Sequence, residues 1–429
     1  MTIDEPGPPE RPRFYGLTHN LWRMALVVGL AQFSMSFWTW EFSVFLEFDL
    51  STAFGIVLEK WEIGATLSAG TFATVVGYIV SGTVSDMLGR KNTMAVALVP
   101  VSIGLVGLRM IPLWPHIIFE YALIQFGWAF VIIVSSAIAA DEITTLGGLD
   151  SAKIFNVVLL PALVVDGLSP ILASYLLERG FTASDLHIIA AVGAFIAVIA
   201  IFAFIRESLG KQTIEKARSG PIITFRGLGQ NFWKFTLGML AFIIFFNSAS
   251  PYIGNLVVGE WEGVSIEMYG YAWSGFSLTS ALLLSVAGGL ADRGLKRAMI
   301  LVLLSNSALL FAFGVSSGVA ALWIYNIAWA LPISLWIGTE KTLVVQGVGE
   351  EMKGRALGTY NFVLSAGGLV AFNLGAFLWQ LWGSLRSVFV FAAVASLISV
   401  AIVAIALRSM SPIENGTTRG EEVSLGIDE

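Results

Sequence analysis

The chain has 429 residues, of which 56% are hydrophobic and 13% charged, and its mean hydropathy is +0.80. Soluble domains carry about 25% charged residues, so charge this sparse excludes a water-soluble globule of this length and indicates contact with lipid. The net charge of −6 excludes a general affinity for nucleic acid, and the lack of cysteine excludes disulfides and thiolate chemistry.

The first 21 residues are polar and rich in proline, beginning MTIDEPGPPERPRF. A cleavable signal peptide has basic residues followed by an apolar stretch, and these residues contain no such pattern. We expect residues 1–21 to form a cytoplasmic tail.

Charge-poor windows of roughly 20 residues, the length needed to cross a bilayer, predict twelve transmembrane helices. The longest charge-free window, 298–339, is too long for one helix and divides at the GVSSG run. The predicted helices are 22–47, 62–85, 93–111, 115–141, 153–178, 183–206, 233–258, 268–291, 297–314, 319–342, 354–381 and 385–408.

Lysine and arginine predict the orientation of these helices. With both termini in the cytoplasm, twenty of the 24 basic residues lie on the cytoplasmic side, and the exceptions are Lys60, Arg109, Arg179 and Arg386. Because cytoplasmic loops of membrane proteins are enriched in basic residues, this bias favours an even number of helices. It predicts a multi-pass protein of the plasma or inner membrane.

The longest polar interruption separates six helices from six others. It contains Ser219, Gly220 and Pro221 in succession, which disfavours a helix. We therefore predict a first bundle at 22–206, a cytoplasmic linker at 207–232, a second bundle at 233–408 and a cytoplasmic tail at 409–429.

A short motif recurs once in each predicted bundle. The chain reads GTVSDMLGRK from Gly82 and GGLADRGLKR from Gly288, so the glycine, the aspartate and the basic pair recur at an offset of 206. The same motif at the same place in two six-helix halves indicates an internal duplication.

The first motif resembles the signature between helices 2 and 3 of the major facilitator superfamily. The resemblance implies an all-α membrane fold of two pseudo-symmetric six-helix bundles that rock around a central cavity. It also implies a cytoplasmic gate. The alternative is that the motif forms a basic loop that sets the membrane topology. The predicted gate residues are Gly82, Asp86, Gly89, Arg90, Lys91, Asp292, Lys296, Arg297 and Arg355.

Glu41, Glu120 and Asp166 lie within predicted helices, away from the cytoplasmic ends. A carboxylate within a bilayer must face a cavity or a partner because its exposure to lipid is costly. An acid that changes protonation there meets the requirement for coupling transport to protons. We predict proton coupling at these three residues. The alternatives are a structural hydrogen bond to a neighbouring helix for Glu41, a position at the outer membrane interface for Glu120 and a helix-packing role for Asp166.

By the 206-residue offset, Asn247 is the repeat equivalent of position 41 and Asn326 is the repeat equivalent of position 120. The first half therefore offers acids where the second offers amides, which suits hydrogen bonding to a solute. The predicted solute-binding residues are Trp40, Asn247, Asn326, Trp329 and Asn373. Helix-packing amides are the alternative.

No lysine or arginine lies near the middle of a predicted helix, which favours a neutral or cationic solute over a multivalent anion. The sequence thus predicts a secondary transporter that imports a small solute, such as a sugar, together with protons. The proton is the coupling ion and no cofactor is expected. The expected partners are solute, protons and the lipid bilayer, and the expected state is a monomer.

Two alternatives stay open. A proton-driven exporter of drugs or metabolites is one, because Gly167-Leu-Ser-Pro170 resembles part of an antiporter signature of the superfamily. A transporter-like receptor that binds solute without moving it is the other. We do not expect an enzyme, because the sequence contains no HExxH, Walker or nucleophile-elbow motif.

Overall fold

A computed structural model describes residues 18–145, 151–207, 225, 227–291, 294–346 and 353–410, and this part of the chain contains helices and no strand. The predicted tails and most of the predicted linker lie outside the described residues. We number the long helices α1 to α12 in chain order.

The first half contains α1 to α6. Their bounds are α1 His19–Ser36, α2 Lys60–Leu88, α3 Arg90–Met110, α4 His116–Thr145, α5 Ser151–Glu178 and α6 Ala183–Phe204. Short helical segments continue α1 at Phe42–Val44, Phe45–Asp49 and Leu50–Phe54, and the second of these is a π-helical turn.

The second half contains α7 to α12. Their bounds are α7 Gly229–Asn247, α8 Ile266–Ala291, α9 Leu295–Val315, α10 Val319–Gln346, α11 Lys353–Trp382 and α12 Leu385–Ser409. A 3-10 turn at Ser250–Tyr252 and a helix at Ile253–Glu260 continue α7.

Ten segments of the described residues are long and apolar enough to cross a membrane, one of them combining α7 with its continuation. Helices α1 and α8 are not among these ten. The predicted all-α membrane fold is confirmed, and the described helices are consistent with the predicted twelve.

The first helix of each half is interrupted. Helix α7 stops at Asn247 and is followed by the 3-10 turn Ser250–Tyr252, in which Pro251 lacks the amide hydrogen that a continuous helix needs. The predicted continuous helix 22–47 is wrong, because α1 ends at Ser36 and residues 37–41 form a turn. Both interruptions present non-helical backbone within the bundle, which is tolerated only where protein or a cavity surrounds it.

Several helices begin at side chains that satisfy free backbone amides. Thr18 accepts a 3.1 Å hydrogen bond from the amide of Leu21 at the start of α1. Glu59 and Glu62 form a reciprocal capping box at the start of α2, and Thr182 and Asp185 form another before α6. These caps fix the ends of three helices at the two surfaces of the bundle.

The two halves meet along α2 with α11 and along α5 with α8, and also where the continuations of α1 and α7 touch. We call the end of the bundle that carries the start of α1 and the end of α6 the linker end, since the linker begins there. The opposite end, with the continuations of α1 and α7, is the far end.

A matching contact at the linker end supports the internal duplication. The Lys91 ammonium donates a 2.9 Å hydrogen bond to the carbonyl of Phe202 near the end of α6. In the second half, the Lys296 ammonium donates a 2.9 Å hydrogen bond to the carbonyl of Met410 just after α12. Each half thus uses one lysine of its repeated motif to hold its third helix to the end of its sixth.

Gly89 separates α2 from α3 with a φ of 87°, and a Cβ atom there would meet the Glu207 carboxylate. We expect Gly89→Ala to lower the free energy of unfolding by about 1–3 kcal/mol, because a positive φ is strained for alanine and the carboxylate must move. Thermal unfolding in detergent measures the change.

Gly55→Ala is the control for a positive φ, since Gly55 has a φ of 68° and no atom within 4 Å of the added Cβ. Its ψ of 19° lies in the left-handed helical region, which strains alanine less than the ψ of 151° at Gly89, so the control lacks the clash and carries milder strain. Equal destabilisation by the two substitutions would contradict a specific role for the Glu207 contact.

Candidate functional site

The far end is held by a polar cluster that joins the two halves, which we call the far-end latch: Glu47, Lys60, Asn255 and Trp379. One Glu47 oxygen lies 2.5 Å from the Lys60 ammonium, and the other accepts a 2.8 Å hydrogen bond from the Asn255 amide. The Lys60 ammonium also lies 4.0 Å from the centre of a Trp379 ring, within the range of a cation–π interaction.

Asn255 is buried and donates a second hydrogen bond, 2.7 Å long, to the carbonyl of Ser43. Because Glu47 and Lys60 belong to the first half while Asn255 and Trp379 belong to the second, the latch closes the far end. Sequence patterns did not identify it, since nothing in either segment reports that α1 and α7 meet there.

The seam between α2 and α11 continues this closure toward the middle of the bundle. Asn373 donates a 2.7 Å hydrogen bond to the Ser68 hydroxyl, which in turn donates a 3.2 Å hydrogen bond to the carbonyl of Leu369. Gly64 lies so close to Ala376 that no side chain fits between them. Asn373, predicted to bind solute, joins the two halves in this conformation.

Small residues also pack the seam between α5 and α8. A Cβ atom on Gly167 would lie 2.6 Å from the Leu278 Cγ atom, and one on Gly270 would lie 2.7 Å from Trp40. Trp40, predicted to bind solute, is buried there with its ring centre 5.8 Å from that of Tyr269. Its indole nitrogen is buried without a hydrogen-bond partner.

Asp166 forms a hydrogen-bonded cluster with α1 near the middle of α5. One of its oxygens accepts hydrogen bonds from the Ser36 hydroxyl at 2.5 Å and from the Gln32 amide at 3.1 Å. The carboxyl is half-buried, and its neighbour Gly167 packs against the second half. Asp166 is therefore an acid at the junction of the two halves, with an amide and a hydroxyl oriented toward it.

Glu41 lies in the turn after α1 and is fully buried within the first half. Its Oε1 atom is 3.7 Å from the Nε2 atom of His187 on α6, which is also fully buried. Both carboxylate oxygens and both imidazole nitrogens lack a hydrogen-bond partner. The structure thus pairs Glu41 with a histidine that the sequence analysis did not single out.

Glu120, the third predicted proton site, faces α3 inside the first half. A Cβ atom on Gly107 would lie 2.9 Å from one of its oxygens, and its other oxygen is buried without a partner. The structure does not bring Glu120 to Asp166 or to the pair of Glu41 and His187 through any hydrogen bond among the described residues.

The predicted solute-binding residues of α7 and α10 separate into two environments. Asn326 donates a 2.9 Å hydrogen bond within α10 to Leu322, and the Trp329 indole donates a 2.6 Å hydrogen bond to Asn306 of α9. Both are buried in the second half. Asn247 is half-buried at the interruption of α7, where it accepts a hydrogen bond of 3.2 Å from Ser250.

The first gate motif contacts its own half at the linker end. The Glu207 carboxylate accepts hydrogen bonds from the backbone amides of Arg90 at 2.9 Å and Lys91 at 3.1 Å. An acid at a helix N-terminus is favourable because the free amides carry partial positive charge. The Arg90 guanidinium also donates a 2.6 Å hydrogen bond to Ser85. Glu207 was not predicted as a gate residue, although it lies three residues after the end of α6, at the start of the basic connecting segment.

The remaining gate residues are only partly described. Arg297 is exposed, and Lys296 binds the carbonyl of Met410. Asp292 lies outside the described residues, and so do the surroundings of Gly82 and the side chains of Asp86 and Arg355.

Comparisons with known proteins agree on one family and fold. The sequence profile of the Major Facilitator Superfamily matches residues 62–371. No curated protein sequence matches the chain with significance. A variant of the nucleoside transporter NupG superimposes with a TM-score of 0.77 at 12% identity, covering 90% of this chain and 99% of that one.

A peptide transporter POT in complex with alafosfalin gives a TM-score of 0.75 at 15% identity, covering 93% of this chain and 96% of that one. The human organic anion transporter MFSD10 gives 0.60 at 16% identity, covering 90% and 99%. At these identities the likeness shows the fold alone, and the substrates in these names belong to those proteins.

Proposed function

Because this chain belongs to the Major Facilitator Superfamily, we propose that it is a secondary active transporter that moves a small neutral or cationic solute by alternating access, coupled to protons. Its membrane is the plasma or inner membrane, with the linker end in the cytoplasm and a single chain as the working unit. A sugar-like molecule is the first solute to test.

The observation that carries alternating access is the closure of the far end by contacts between the two halves. The far-end latch and the Ser68–Asn373 hydrogen bond both cross the seam in the half of the bundle away from the linker. A transporter of this kind must break such contacts to open toward the other side.

Alternating access also requires the halves to close at the linker end. Glu207 accepts hydrogen bonds from the amides of Arg90 and Lys91 and so holds the start of α3 beside the end of α6. The proposed cytoplasmic gate would join the two repeated motifs when that end closes. The two ends would thus alternate in holding the halves together.

Proton coupling rests on the acids buried in the bundle. Asp166 lies where the halves meet and already accepts two hydrogen bonds from α1, so its protonation would weaken the link between α1 and α5. Glu41 is fully buried and would need to be protonated or paired to remain there. A proton bound at either acid is therefore tied to the arrangement of the helices.

The proposed solute class rests on polar groups at the interruption of α7 and near the seam. Asn247 and Asn373 offer amides, Trp40 offers an aromatic face, and Asp166 offers a carboxylate. Amides hydrogen-bond neutral hydroxyl or carbonyl groups, and a carboxylate with an aromatic ring suits a cation. The names of the structural neighbours add nucleosides and peptides to the solutes worth testing.

The experiment is a flux measurement with purified protein in liposomes that contain a pH-sensitive dye. Sugars, nucleosides, small peptides and cationic drugs are added in turn. The proposal expects one solute class to enter together with protons. Binding without any flux would indicate a receptor, and flux without proton movement would contradict proton coupling.

Asp166→Asn is the first variant to compare. We expect it to abolish accumulation driven by a pH gradient while retaining exchange of labelled for unlabelled solute, because the amide cannot gain or lose the proton. Glu262→Gln is the control, since Glu262 is exposed in the loop between α7 and α8. Gradient-driven accumulation that is unchanged in Asp166→Asn would exclude Asp166 as the coupling acid.

A further inference from the structure

The pair of Glu41 and His187 is a buried titratable site with unmet hydrogen-bonding capacity. Both side chains have 0% exposure, and the facing atoms, Oε1 and Nε2, are 3.7 Å apart. A small rotation of either side chain brings these two atoms into hydrogen-bonding range. Buried polar atoms in folded proteins nearly always have partners, so four unpartnered atoms in one pocket require an explanation.

Aromatic rings form the walls of this pocket. The His187 ring lies edge-on to Trp38 and Phe45, with ring centres 5.3 and 4.8 Å apart. Phe42 stacks on Tyr121 at 4.3 Å beside them. The Trp38 indole donates its hydrogen bond to the carbonyl of Ser34 instead. None of these side chains donates a hydrogen bond to the Glu41 carboxyl, whose two oxygens both lack a partner, so compensation must come from the imidazole.

Charged groups stand around the pocket without entering it. Those that face the pair are Asp49 on the continuation of α1 and Arg109 on α3. Arg109 itself lies 3.7 Å from Asp185, two residues nearer the far end than His187 on α6. Glu120 on α4 turns toward α3, next to Gly107. The pair therefore has no adjacent counter-ion and must be electrically neutral within itself.

Neutrality is reached with a single acid proton. A buried ion pair in an apolar pocket often fails to recover its desolvation cost, whereas a neutral carboxylic acid can donate to a neutral imidazole. Loss of that proton would leave an isolated buried carboxylate, which costs several kcal/mol. The proton can thus leave only when water reaches the pocket.

We propose that Glu41 and His187 together form one proton-binding site, in which the Glu41 carboxyl holds the proton and the His187 Nε2 atom accepts it as a hydrogen bond. The site rests on the proposed function, to which it assigns the place where the proton is stored while the far end is closed. On opening, the proton passes from the carboxyl to water, and the carboxylate is left hydrated. His187 acts as a positioning residue that keeps the carboxyl protonated and oriented.

Infrared spectroscopy of the protein reconstituted in lipid tests this site without any solute. A protonated carboxyl gives a carbonyl stretching band that a carboxylate lacks, and the band that disappears in Glu41→Gln belongs to Glu41. We expect that band at neutral pH in the unaltered protein. We expect His187→Gln to change its frequency, because the amide replaces the imidazole as the acceptor.

The control is His116→Gln, since His116 is exposed at the start of α4 and should leave the band unchanged. His187→Asn provides a second replacement if His187→Gln does not fold. Absence of a Glu41 band at neutral pH, or a band unaffected by either replacement, would overturn the shared site.

The outcome is separable from that of the flux measurement. The band requires neither solute nor transport, so its absence removes the pair and leaves proton-coupled transport through Asp166 intact. Conversely, flux without proton movement removes the proposed coupling even where the band behaves as expected.

Discussion

Glu47→Leu should favour conformations that are open at the far end. Glu47 is the member of the far-end latch that contacts both Lys60 of its own half and Asn255 of the other. Lys60 lies in the same half as Glu47, so the Glu47 contact that crosses the seam is the hydrogen bond from Asn255. A hydrogen bond to a charged group is worth about 1.5–3 kcal/mol, and Glu47 is 13% exposed, so a shift of roughly 1–3 kcal/mol is expected.

Such a change lowers the ratio of closed to open molecules by about 5-fold to 150-fold. A single cysteine at Ser174 reports it, because Ser174 is fully buried at the α5–α8 seam and the chain has no cysteine of its own. Its rate of labelling by a membrane-impermeant maleimide should rise in Glu47→Leu and stay unchanged in Glu262→Leu. An unchanged rate in both variants would show that the latch does not hold the far end.

Gly167→Leu is expected to have an effect of similar size at a different seam. The first added carbon would lie 2.6 Å from the Leu278 Cγ atom and 3.1 Å from its backbone nitrogen, so α5 and α8 must separate. Overpacking of this kind typically costs about 1–3 kcal/mol. Because the clash lies between the two halves, we expect a conformation in which α5 and α8 are separated to be relatively favoured.

A cysteine at Ser68, on the separate α2–α11 seam, is the reporter for this variant. Its labelling should accelerate in Gly167→Leu although the substitution is on another helix. Leu168→Phe is the matched control, since Leu168 is half-exposed on the outer face of α5. Faster labelling in the control as well would indicate general loosening and not a shift between two conformations.

Hydropathy and charge predicted the helices well where lipid dictates the sequence. Helix α12, predicted at 385–408, spans Leu385–Ser409 in the structure, and α8, predicted at 268–291, spans Ile266–Ala291. The interruption of α1 after Ser36 was missed, because the segment FWTWEF is as apolar as a helix and contains neither glycine nor proline. Hydropathy reports burial and does not report backbone dihedral angles.

The candidate site was predictable only in part. Glu41 and Asp166 could be singled out because an acid in an apolar segment is costly and therefore requires a partner. Their partners could not be predicted, since Ser36 is 130 residues from Asp166 and His187 is distant from Glu41 along the chain. The repeat offset related Asn326 to position 120, but packing turned its amide onto its own helix.

The far-end latch shows the same limit. Glu47 looks like a solvated acid at a helix end, and Lys60 looks like an ordinary loop lysine. Glu47 acquires its role from Asn255, 208 residues away, and Lys60 acquires its role from the ring of Trp379. Only the arrangement of the two halves makes these residues neighbours.

Alternating access requires the two ends of the bundle to open in turn. Distances between spin labels at both ends measure this directly. One pair of labels would be placed at Val57 and Glu262 on the far end, and a second pair at Met87 and Ser409 on the linker end, all exposed positions. We predict that Glu47→Leu lengthens the first distance and shortens the second. Lengthening of both distances, or no change in either, would contradict alternating access through these contacts.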